Sequence, residues 1–172
     1  MHFYHNDDGE TDFLKGLVAG VAGGLLASFL MEQFQAAWSA ATEAMQEKKH
    51  RGRKPQPTTV KVANALSKKI VGRKVPKGYQ AAAGAAVHYG VGAGSAGIYG
   101  ALAEIAPIIT AGEGLVFGAG VWIMADEIAV PAAGFSKWPR EIPLTTHIYA
   151  LASHLVYGWI TETVRRAVRA TL

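Results

Sequence analysis

The chain has no cysteine among its 172 residues, which excludes a disulfide framework, a thiolate nucleophile, an iron–sulfur cluster and any zinc site built on sulfur. Charge is scarce too. Asp, Glu, Lys and Arg together make up 17% of the sequence, against roughly 25% in ordinary soluble domains, and the mean hydropathy is +0.15. No nucleophile elbow, phosphate-binding loop or dinucleotide fingerprint is present, so no catalytic residue is assigned. Lys and Arg are missing from residues 1–12, which carry Asp7, Asp8, Glu10 and Asp12 instead. A cleaved export signal begins with a positive segment, so the first apolar stretch is expected to be kept as a membrane span.

What the chain does have is length without charge. Between Gly78 and Ala103 stand twenty-six consecutive residues with no Asp, Glu, Lys or Arg, enough at about 1.5 Å per residue to cross a bilayer core. Three further stretches read the same way, and the expectation is an all-α polytopic membrane protein of about four spans, at 13–38, 78–103, 114–133 and 143–162, in a single domain. A soluble helix bundle is the rival. It needs charged faces at a 3.6-residue period, and these segments are apolar or small all round. Trp38, Tyr79, Trp138 and Trp159 fall near the span ends, where amphipathic rings favour the headgroup boundary. Pro107, Pro139 and Pro143 mark the turns.

Eleven of the 17 Lys and Arg lie between Lys48 and Lys77, inside the connector 39–77, and Lys137 and Arg140 lie in the last loop. Placing both basic segments in the cytoplasm puts thirteen cations inside, against Lys15, Arg165, Arg166 and Arg169 outside. The implied orientation has both termini periplasmic. Within the connector, 51–57 is turn-rich. After it Val60, Ala63, Leu66 and Ile70 recur at near-helical spacing, with Lys61, Lys68 and Lys69 elsewhere on the helix. Two readings stand side by side: an amphipathic helix whose lysines contact lipid headgroups, or a solvated loop carrying positive-inside charge. Nucleic acid is not expected as a partner, since no aromatic residue interleaves the basic run.

Small residues recur four apart at Gly16, Gly20 and Gly24, at Gly92, Ala96 and Gly100, and at Gly114 and Gly118. Such stripes let membrane helices approach closely. They are expected to pack the spans, the run Gly90 to Gly94 included, and to offer faces for a homo-oligomer or a partner in a membrane complex.

Ionisable residues within spans are costly unless they face the bundle interior. His88, Asp126 and His154 are the central candidates, with Glu127 and His147 in support. His88 shares a stripe with Gly84, Gly92, Ser95 and Tyr99. His147 and His154, seven apart, share one on the last helix. Asp126 lies below Gly114, Gly118 and Trp122, while Glu127 is turned away from it by about 100°. Converged, these groups could pass protons or a small ion. A metal site is an alternative, though no Glu-x-x-His spacing sharpens it; so is haem held by His88 and His154. A third reading is interhelical glue in a structural or assembly protein. Glu104, Glu113 and Glu162 are expected to be interfacial and solvated, with Glu162 placed to form a mouth.

The segments Val87-His88-Tyr89-Gly90, Ala125-Asp126-Glu127-Ile128-Ala129-Val130-Pro131 and Thr146-His147 through His154 to Gly158 resemble the YagU-like family of bacterial inner-membrane proteins, a domain family without an assigned biochemical activity. The glycine-rich first span running into Met31-Glu32-Gln33-Phe34 is similar as well. The resemblance implies a multi-pass protein of a bacterial cytoplasmic membrane and transfers no catalytic residue.

Overall fold

The structure, a computed structural model, describes residues 7–45 and 56–172. Regular structure among the described residues is entirely helical: α1 (Asp7–Met45), α2 (Thr58–Val71), α3 (Gln80–Ile105), α4 (Leu115–Ala132) and α5 (Leu144–Arg169). Positions 51–55 of the turn-rich stretch lie outside the described residues.

The helix ends follow local chemistry rather than the edges of the apolar runs. α1 outruns the expected 13–38 on both sides and α5 continues to Arg169. No Gly or Pro interrupts 39–45 or 163–169, so nothing stops the helix where the hydrophobicity ends. α3 starts after a 3-10 turn at Lys77–Tyr79 and stops before Pro107, which cannot continue its hydrogen bonds. Gly72, at φ 75°, closes α2 by donating to the Lys68 carbonyl at 3.1 Å.

α4 is irregular. It is α-helical over Leu115–Trp122, π-helical over Ile123–Ala129 and closes with one turn at Val130–Ala132. Pro131 accounts for this: it has no N–H to give, and in a regular α-turn its ring meets the carbonyl of Glu127. Widening the preceding turns relieves that conflict. Gly134, at φ 74°, then reverses the chain, and Phe135 N–H donates back to the Val130 carbonyl at 3.0 Å.

α1 lies at the centre, with α3 on one face and α5 on the other; α4 packs on α5 and α2 on α3. The small-residue stripes make these contacts. A Cβ added to Gly20 would run into the Ala96 carbonyl, and one on Gly100 into that of Gly16. On an adjoining face of α1, Gly23 backs onto the Thr161 carbonyl of α5. Gly118 sits on the His154 carbonyl and Gly158 on that of Gly114, itself at φ 82°. Gly90 and Gly94 do not belong to this packing: both face open space, because they lie on the side of α3 away from Gly92.

The distribution of side chains inverts that of a soluble bundle. The interior holds Ala19, Ala27, Ala96, Ser28, Ser153 and Thr161, all at 0% exposure. Large apolar side chains such as Leu14, Val18, Ile98, Val116 and Met124 face outward on α1, α3 and α4. Two stretches, Asp12–Glu43 and Leu115–Ala132, are long and apolar enough to cross a membrane. Only 39% and 11% of their most apolar windows are buried, unlike a soluble core helix. α3 and α5 have the length but are less apolar, α3 through its many Ala and Gly residues and α5 through its charged end.

Candidate functional site

A cavity of about 530 Å³ lies among the five helices. α1 contributes Ser28 and Met31, α2 Thr59 and Val62, α3 His88 and Val91, α4 Asp126 and α5 His154 and Tyr157. Glycine packing sets this geometry. Gly118 lets the α4 backbone rest on the His154 carbonyl, and Asp126 follows two turns along α4. The His154 ring leans toward its own helix N-terminus, as helical side chains do, and so toward Asp126. The two are 3.9 Å apart, Nδ1 to Oδ2, an ion-pair distance too long for a hydrogen bond.

His154 Nδ1 donates instead to the Ala150 carbonyl at 2.9 Å. His88 Nε2 lies 3.3 Å from the Ser28 carbonyl, tying α3 to α1, and 3.9 Å from Glu32 Oε1. Glu32 was not among the candidates, although it lies within the expected first span. Because α1 continues to Met45, it lies mid-helix and accepts the Tyr89 hydroxyl at 2.9 Å. A second cavity of about 340 Å³, lined by Glu32 and Gly84, shares His88, Gln35 and Thr59 with the first.

The five candidates therefore divide. His88, Asp126 and His154 face one cavity. Glu127 and His147 line neither cavity and pair with each other at 2.8 Å, Nδ1 to Oε1. His147 Nε2 also donates to the Pro139 carbonyl at 3.0 Å, so this pair fastens the 133–143 loop to α4 and α5. Lys61 does similar duty from α2, donating to the Phe135 carbonyl at 2.8 Å. Lys68 and Lys69 are exposed. Of the apolar positions on α2, Val60 and Ala63 are buried, whereas Leu66 and Ile70 are exposed.

Toward the opposite end the interior is filled. The Tyr157 hydroxyl donates to the Gly92 carbonyl at 2.6 Å and lies 3.1 Å from Ser95 Oγ. Tyr99 stacks on Phe117 with ring centroids 4.2 Å apart, and its hydroxyl donates to Glu162 at 2.9 Å. Glu162 is not solvated and forms no mouth: it is 1% exposed. Arg165 reaches it through two nitrogens at 2.7 and 2.9 Å, and Arg166 Nε at 2.5 Å. Glu104, also expected to be solvated, is only 17% exposed and pairs with Arg169, which pairs in turn with Asp12. Glu113, at 64% exposed, fits the expectation while pairing with Arg166. The readable signal was Glu162 with Arg165 and Arg166 at i+3 and i+4, the spacing of helical ion pairs.

Among the described residues, no group of three His, Cys, Asp or Glu side chains is placed to hold a metal ion. A family model described as "Protein of unknown function (DUF1440)" matches residues 64–163. That region runs from α2 to α5 and includes His88, Asp126 and His154. No curated protein and no solved structure matches the chain.

Proposed function

We propose that the chain, which belongs to the DUF1440 family of unknown function, is a four-span membrane protein whose cavity takes up and releases protons or a small cation. α1, α3, α4 and α5 are the spans. The observation that carries this reading is the convergence of His88, Asp126 and His154, from three helices, on one cavity in a bundle whose outer surface is apolar. Imidazole changes charge near neutral pH, and ionisable groups in such an interior belong to pathways for charge. The start of α1 and the end of α5 lie at the same end, joined by Asp12 and Arg169, as an even number of crossings requires. The basic α2 and the 133–143 loop lie at the other end, read as cytoplasmic in a bacterial inner membrane.

The test is proton flux into liposomes carrying the purified protein and a pH-sensitive dye. Wild type is expected to dissipate an imposed pH gradient faster than empty liposomes. Asp126→Asn is expected to lower that rate by about tenfold or more, the loss typical of a missing proton-transfer group. Gly94→Ala, on the open face of α3, is expected to leave it unchanged. Wild-type flux equal to that of empty liposomes overturns the reading.

One observation favours a structural role instead: His88 bonds a backbone carbonyl of another helix, as interhelical glue does. On that reading His88→Ala lowers thermal stability, and no substitution in the cavity changes any flux.

A further inference from the structure

The cavity is larger than proton exchange needs, and its chemistry is one-sided. At about 530 Å³ it falls within the size range of sites for small organic ligands. Its walls are mostly aliphatic, with Val62, Val91 and Val121 among them, and such walls hold water poorly.

Gln35 and the hydroxyls of Ser28, Thr58, Thr59 and Tyr157 are neutral, and the groups of the lining that can carry charge are a carboxylate and two imidazoles. The imidazole N–H groups that can be located are both turned onto backbone carbonyls: His154 Nδ1 onto Ala150 and His88 Nε2 onto Ser28. In the neutral rings the remaining nitrogens are acceptors. Asp126 adds a carboxylate that accepts no hydrogen bond from the described residues, with His154 Nδ1 3.9 Å away. Ser28 Oγ, fully buried in the lining, also has no hydrogen-bond partner. The adjoining cavity contributes Glu32, and among the described residues neither lining contains a Lys or an Arg.

We infer that the cavity binds a small primary ammonium ion with an apolar body, its N–H groups meeting Asp126 and the imidazole acceptors and its hydrocarbon lying along the valines. Among the described lining residues an anion would find no cationic side chain other than histidine, and a neutral hydrocarbon would leave the Asp126 carboxylate without a partner. The inference rests on the cavity of the proposed function and names what occupies it. Glu32, which lines the adjoining cavity beside the shared His88, adds a second carboxylate near the site.

The experiment is equilibrium dialysis of radiolabelled phenethylammonium against the full chain in phosphatidylcholine nanodiscs, with empty nanodiscs subtracted. Saturable binding of one ion per chain is expected, displaced by pentylammonium and not by phenethyl alcohol, which lacks the charge. Asp126→Asn is expected to weaken binding by about tenfold or more, since it removes the charge that the ammonium ion meets. Val121→Trp, which fills the cavity and leaves Asp126 in place, is expected to abolish it. Binding no greater than to empty nanodiscs, binding unchanged in Asp126→Asn, or equal competition by the alcohol overturns the inference. The two readings fail separately. Proton flux in liposomes without amine binding overturns only the ligand inference; amine binding without flux supports it and overturns proton passage.

Discussion

Glu162→Ala is expected to lower the melting temperature of the purified protein by roughly 6–20 °C. The side chain is sealed, and its removal leaves Arg165, 8% exposed, without its two shortest hydrogen bonds. Breaking one side of a buried ion pair costs about 3–5 kcal/mol, and each kcal/mol shifts the melting temperature of a chain this size by about 2–4 °C. Tyr99 loses its acceptor as well. The double variant Glu162→Gln with Arg165→Met removes both charges at similar volume and is expected to recover most of the loss. Thermal unfolding followed by circular dichroism in detergent decides this. A single variant within a degree or two of wild type would show that the buried pair contributes little.

The second large effect is expected at Gly20. Leucine there has to displace the α3 backbone at Ala96 and Gly100, because no flexible side chain stands in the way to yield. Over-packing a core costs about 1–3 kcal/mol, and a clash against backbone belongs at or beyond the upper end. Gly20→Leu is therefore expected to lose at least about 3 kcal/mol. Gly94→Leu, with nothing within 4 Å of its added Cβ, is expected to be close to neutral when it faces lipid. Parallel unfolding titrations in mixed micelles compare the two. Equal losses would place the α1–α3 contact elsewhere than on these stripes.

Much of this architecture was readable from residue spacing alone. Gly16, Gly20 and Gly24 were legible as a packing stripe because a four-residue repeat of small residues has one geometric meaning on a helix. The same repeat could not say which side of α3 the neighbour occupies, so Gly90 and Gly94 were grouped with Gly92 although they face outward. The separation of Asp126 from Glu127 followed from the helical angle between adjacent residues. That Glu127 meets His147 did not, because the π-helical turns ahead of Pro131 shift the phase of α4 where these carboxylates lie. Glu162 was misjudged because it sits at the edge of an apolar run, and the sequence does not show that α5 continues beyond it. Which histidine nitrogens are turned onto carbonyls belongs to the tertiary structure, and the charge character of the cavity becomes visible only there.

The central position of α1 bears on how the chain is made. Its two glycine-bearing faces wait for helices that do not yet exist when it leaves the ribosome, and the bond between Arg169 and Asp12 joins residues 157 apart. At roughly 5–20 residues per second, the stretch from Met45 to Arg169 takes roughly 6–25 s, and on the membrane reading the first helix waits that long for its final partner. During that interval its exposed backbone stripes are the surface that insertion factors and neighbouring chains meet, so errors of assembly are expected to begin at α1.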